Sequence, residues 1–281
     1  MKKLPIILII ATSSIMHACI KDKEEPRFTD FVAVVKDDSF AQMLFDDIQS
    51  ESDVQHATSQ TEALEKSMME DSATVTIDAG ENGFADSTWT ITIDFGDGIV
   101  GRYGWERKGK VIIDVQGFYK QEGATRVMTF DNYYVNDNKV EGTHTVTNIG
   151  FDSTEMAYVF DVAIENGVIT KTDGKTITWN SNRQRKWTAG YDTPLTITDD
   201  EYNITGESHG TNSEGKAFVK TITSPLHIYL NCEYVQDGEV DITIEESKTA
   251  LLNFGYSEGA SSCDEYAKLT YAGKDFTFKM R

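Results

Sequence analysis

"STWTITIDFGDG", residues 87–98, alternates polar and apolar side chains and then stops at an Asp-Gly pair. A period of two puts Trp89, Ile91 and Ile93 on one face of a strand and the threonines on the other, the signature of a half-buried strand. Asp97-Gly98 tolerates the positive φ values of a tight hairpin turn. The same alternation continues outward through "ATVTID", "KVIIDVQGFY", "TRVMTFDNYYV", "KVEGTHTVTN", "AYVFDVAI", "KTITWN", "KAFVKTIT", "LHIYLNCEYV", "EVDITI", "AKLTY" and "DFTFKM". Asn82-Gly83, Asn166-Gly167, Asp173-Gly174 and Asp237-Gly238 supply further turn dipeptides. Connections this short cannot hold parallel crossovers, which take a dozen or more residues. Residues 73–281 are therefore predicted to be mainly β, in large antiparallel sheets arranged as a meander or a sandwich.

The chain before residue 73 reads differently. "DDSFAQMLFDDIQSE" places Phe40, Met43, Leu44 and Ile48 at helical spacing, with Asp38 or Ser39 as N-cap, which predicts a short amphipathic helix. Residues 51–72 are polar with weak periodicity, so 36–72 read as a helical and linker segment and 19–35 as a tether. "TIDFGDG" at 92–98 and "LLNFGYSEG" at 251–259 echo one another, as two matching edge strands would.

The N-terminus carries address information. "MKK", the apolar "LPIILII" and "ATSSIMHA" follow the order of a secretory signal. The apolar run is shorter than the roughly 20 residues that span a bilayer. Ala18 followed by Cys19 resembles the lipobox of bacterial lipoproteins. That resemblance implies removal of a signal peptide, residues 1–18, and attachment of acyl chains such as palmitate to Cys19. Each buried CH₂ contributes about 0.8 kcal/mol, so several chains give stable anchoring. "IKDKEEP" after the cysteine is similar to the export signal of surface lipoproteins of the Bacteroidota, and Ile20 stands where an inner-membrane retention signal would have Asp. Further along, "IDFGDG", "RKGKVIIDVQGFY", "TFDNYYVNDNKVEGTHTVTN", "GKTITWNSNRQRKW" and "LNCEYVQDGEVDI" resemble an uncharacterised family of such lipoproteins with antiparallel β ectodomains. The resemblance implies an outer-membrane, cell-surface location and no particular activity.

A formal net charge of -20 disfavours nucleic acid and anionic headgroups as partners, since both are attracted by clustered Lys and Arg. Of three cysteines, Cys232 and Cys263 remain once Cys19 is assigned. In an oxidising envelope they are a candidate disulfide, worth roughly 3 to 4 kcal/mol for a loop of this size.

Chemical motifs are sparse. "GESHG" at 206–210 fits G-x-S-x-G with Ser208 as nucleophile, but a strand pattern follows where the esterase elbow needs a helix. A glycine-flanked β-turn is the expectation there, and no catalytic residue is assigned. "DFG" at 94–96 lacks every companion motif of a kinase, and "DAGENG" at 78–83 has Trp89 where a calcium loop needs Glu. The histidines show no metal-ligand spacing, so neither metal nor cofactor is expected. Asp-Ser-Ala and Asp-Ser-Thr steps at Ser72, Ser87 and Ser153 resemble O-glycosylation sites of Bacteroidota secreted proteins.

The remaining candidate is "TITWNSNRQRKW", residues 176–187. As one strand it places Ile177, Trp179, Ser181, Arg183, Arg185 and Trp187 on a single face, and "YGWER" aligns Tyr103, Trp105 and Arg107 similarly. Trp179, Arg183, Arg185 and Trp187 are therefore the candidate binding face for an anionic or glycan ligand. The function expected is a lipid-anchored surface lipoprotein with a non-enzymatic structural or binding role, contacting a glycan or a surface protein. The alternatives are an accessory that binds glycan for uptake and, through "GESHG" alone, a serine hydrolase.

Overall fold

A computed structural model describes residues 26–59, 73–101, 104–193, 196–232, 234–245, 249–255 and 263–280. One helix, α1 (Phe28–Thr58), precedes fourteen strands: β1 (Thr74–Asp78), β2 (Thr88–Asp94), β3 (Ile99–Val100), β4 (Glu106–Gln116), β5 (Thr125–Val135), β6 (Asn138–Asp152), β7 (Ala157–Thr170), β8 (Thr176–Ala189), β9 (Glu201–Thr211), β10 (Ala217–Tyr229), β11 (Asp237–Ile244), β12 (Thr249–Asn253), β13 (Tyr266–Tyr271) and β14 (Lys274–Lys279). They form a single sheet in chain order from β1 to β14, with the short β3 paired to β4 beside the main path. Neighbours along it are antiparallel, as β6 with β7 and β8 with β9. The mainly antiparallel β fold expected from the alternation is present, as one long meander.

The helix departs from its sequence reading in three ways. It begins at Phe28, inside the stretch read as a tether, and Asp38 and Ser39 lie within it. Arg27 is the N-cap residue, and its backbone N–H donates to the Asp30 carboxylate at 2.7 Å. The valines of "FVAVV" resemble strand or tether to a propensity argument, but burial of an apolar stripe outweighs a few tenths of a kcal/mol per β-branched residue. Most importantly, α1 is not amphipathic. Phe31, Val34, Val35, Ala41, Leu44, Phe45 and Ile48 are buried, and so are Asp37, Asp38, Gln42, Gln49 and Asp53. Among the described side chains of the helix only Thr29 and Lys36 are exposed.

The helix is enclosed because the sheet curls around it. Phe28 meets Phe276 of β14, Phe31 meets Tyr271 of β13, and Phe45 lies between Phe130 of β5 and Trp179 of β8. Helix and strands thus share one hydrophobic core. The boundary drawn at residue 72 divides the sequence and not the fold.

Bulges supply the bend. Register shifts interrupt β4–β5 at Lys108/Lys110, β6–β7 at Glu141/Thr143 and β7–β8 at Ile164/Gly167. A bulge kinks its strand and increases local twist, which is how a broad sheet is made to coil. Asn166-Gly167, expected as a hairpin turn, is one of these bulges inside β7. A Cβ at Gly167 would lie 2.3 Å from the Trp179 carbonyl and 3.3 Å from the Phe45 ring, so glycine here admits the close approach of β8 beneath the helix. Asp237-Gly238 likewise opens β11 instead of turning, whereas Asp173-Gly174 joins β7 to β8 with Gly174 at φ 82°. The echoing segments at 92 and 251 fall in β2 and β12, one and two strands inside the edges β1 and β14.

Candidate functional site

Period two places the inward side chains of each strand against α1, and several of them are basic. Arg107 of β4 forms a bidentate pair with Asp47, its Nη2 2.7 Å from Oδ1 and its Nε 3.0 Å from Oδ2. Arg183 of β8 donates to Asp46 at 2.7 Å, and Lys220 of β10 pairs with Asp38 at 2.5 Å. Asp53 receives two guanidinium groups, Arg126 at 2.5 Å and Arg185 at 2.8 Å. Asp38 also accepts from the Trp179 indole at 2.8 Å and the Ser208 hydroxyl at 2.9 Å. Burial alone would raise the Asp53 carboxyl, but Arg126 and Arg185 overcome it and hold the group below its usual range. Arg183 does the same for Asp46 against the opposing effect of burial. The acidic helix and the basic interior of the sheet neutralise one another.

Beside this ionic interior lies a cavity of about 200 Å³. One wall is a stripe of α1, in which Lys36, Ser39, Phe40, Met43, Asp46, Asp47 and Ser50 recur at intervals of three and four and so share a face. The facing wall is aliphatic: Leu226 and Ile228 from β10, Ile242 from β11, Leu252 from β12, with Phe254 after it. The loop between β10 and β11 adds Leu230, Cys232, Tyr234 and Val235, and Trp105 and Met280 complete the lining. A cavity of about 150 Å³ lined by Leu, Ile and Phe stays dry and accepts a benzene ring. The present one sets such an aliphatic wall against a helix stripe that also carries Lys36, Asp46 and Asp47.

The sequence-derived candidates fall in several places. Trp179, Arg183, Arg185 and Trp187 do share one face, but that face is turned inward, with exposures of 0%, 5%, 7% and 2%. This corrects their reading as a binding surface: α1 fills the space a ligand would need. Trp187 donates to Asp200 at 3.0 Å, and Tyr202 donates to the other oxygen at 2.9 Å. Burial pushes the Asp200 carboxyl up to about 6, against the lowering effect of those two donors. Trp105 and Arg107 are buried as well, while Tyr103 lies outside the described residues.

Ser208 stands inside β9 rather than in a turn. It pairs with Lys220 across the sheet, and His227 lies seven positions further along β10, opposite Asn203. At about 3.4 Å per residue that puts the serine and the histidine roughly 20 Å apart. Cys19 and Ser72 lie outside the described residues. Ser87 is half-buried at the end of a 3₁₀ turn, and Ser153 is exposed in the turn between β6 and β7.

Cys232 and Cys263 are joined, with their Cα atoms 5.6 Å apart. Thiol labelling of unreduced, denatured protein is expected to detect neither, and full labelling of both would refute the bond. Because Cys232 lines the cavity, the bridge ties the β10–β11 loop to the chain before β13.

Sequence reasoning missed Asp38, Asp46, Asp47, Asp53 and Lys220, together with the cavity wall. A usable signal was present in the parity of β8, since Arg183 and Arg185 share the face of Ile177 and Trp179, which is the face a core occupies. Compared with protein-family models, curated proteins and solved structures, the chain matches none.

Proposed function

We propose that this protein is a lipid-anchored, non-enzymatic binding ectodomain of the cell surface, and that the cavity between α1 and β10–β12 is its ligand site. The leader and Cys19 support the anchor. The observation that carries the binding role is the apolar cavity, a hole that a purely structural scaffold would gain stability by filling. A glycan platform loses its named residues, because Trp179 and Trp187 are enclosed.

Metabolic labelling with a palmitate analogue is expected to tag the wild-type chain and leave Cys19→Ala untagged. Labelling of the variant would remove the anchor from this reading. For the cavity, bromodecanol is expected to quench Trp105 saturably, and Ile228→Phe, which places a ring in the space, to weaken that quenching about tenfold. Unsaturable quenching that is the same in both proteins would count against a ligand site.

A further inference from the structure

We infer that the cavity takes an anionic amphiphile, a single alkyl chain ending in a carboxylate, with the tail against Leu226, Ile242 and Leu252 and the head at Lys36. This rests on reading the cavity as a ligand site and adds the chemistry of the ligand. The aliphatic wall specifies the tail. The head follows from which charges along the helical stripe already have partners.

Three carboxylates line the cavity, and each is paired with a cation of the sheet: Asp38 with Lys220, Asp46 with Arg183 and Asp47 with Arg107. A cationic head would have to draw one of them away from a buried guanidinium or ammonium. Leaving such a group buried and uncompensated is strongly unfavourable. The cation Lys36 differs from all of these. It is exposed, it lines the same cavity, and it forms no ion pair among the described residues. A carboxylate meets it without displacing anything. Ser39, one turn further along the same face, offers a hydroxyl donor beside it, whereas the Ser50 hydroxyl is committed to the Asp46 carbonyl at 3.1 Å.

The overall acidity of the chain does not oppose this arrangement. Exposed charges beyond about 8 to 10 Å are largely screened at physiological salt, so the nearest uncompensated charge governs the head. The apolar tail supplies affinity and the ion pair supplies discrimination, since an exposed pair contributes modestly beside the burial of several methylene groups.

The test compares bromodecanoate with bromodecanol, read by quenching of Trp105 in the purified full chain. Wild type is expected to prefer the carboxylate about three- to tenfold. In Lys36→Gln the ratio of the two affinities should fall to about one, and Lys36→Arg should keep it. Lys175→Gln, a charge change in the turn before β8, should leave the ratio as in wild type. Equal affinity for the two probes in wild type overturns the inference and leaves the cavity standing as an apolar site. Preference for the carboxylate that survives Lys36→Gln also overturns it, by placing the head elsewhere. If neither probe binds saturably, the cavity is no ligand site and both readings fall together.

Discussion

Asp53→Ala is expected to destabilise the protein by about 3 to 5 kcal/mol, the cost of leaving a buried charge without its partner. Two guanidinium groups depend on that one carboxylate, Arg126 and Arg185, and all three side chains are nearly excluded from water. Tyr119 and Tyr202 stand over the two arginines as rings and not as anions, with the Arg185 guanidinium 4.5 Å from the Tyr202 centroid. They cannot take over the role of Asp53. Urea denaturation with an unchanged slope would measure the loss. The companion variant Asp53→Ala, Arg126→Met, Arg185→Met is expected to recover much of it, because removing every charge of a buried cluster is far less costly than removing one. A loss below about 1 kcal/mol in the single variant would mean that the two guanidinium groups find water or another acceptor.

Acid is the second strong perturbation. His56 and His144 are buried imidazoles, and burial first, then Arg126 for His56 and Arg183 for His144, pushes each pKa down to about 3. Asp53 near His56 and Asp46 near His144 oppose the shift without reversing it. His56 holds its place by donating Nε2–H to the Gly117 carbonyl at 3.0 Å.

Between pH 3 and the unfolded value of about 6.5, the unfolded chain binds protons that the folded one refuses, so stability falls as pH falls through that window. Asp200, raised to about 6, has the opposite sign and returns part of the loss. The balance is a net loss of about 4 kcal/mol on going from pH 7 to pH 4. Asp46 and Asp53, held low by their arginines, add to the loss only at more acid pH. Urea midpoints across this range should show the slope, and His144→Leu should remove most of it, because Asp200 then offsets the greater part of what His56 alone loses. A flat profile from pH 7 to pH 4 would contradict neutral burial of these rings.

The strands were legible because period-two alternation is a local property, and "STWTITIDF" carries it whatever surrounds it. The helix was half legible. Phe40, Leu44 and Ile48 announced a helix, yet the aspartates among them argued for a wet face, because a charge is read as solvated unless its partner is in view. Those partners sit far away in sequence: Asp38 finds Lys220, and Asp46 finds Arg183. The binding face failed for the same reason. Parity correctly grouped Trp179, Arg183, Arg185 and Trp187, but parity does not say which side of a sheet faces the core. The cavity left no local trace, since its walls come from α1 and three strands nearly 200 residues later.

That separation also sets an order in time. Synthesis yields the innermost element first, and α1 is complete when none of the sheet cations that neutralise Asp38, Asp46, Asp47 and Asp53 exists. Contacts closed over such long stretches form slowly, because the entropy of ordering the loop is lost before any contact compensates it. Until β8 to β10 arrive, the aspartates of α1 belong in water and its phenylalanines do not, so the helix has no stable place of its own. The nascent chain therefore waits on its last third, and a truncation before β10 should yield an aggregation-prone fragment instead of a smaller folded protein.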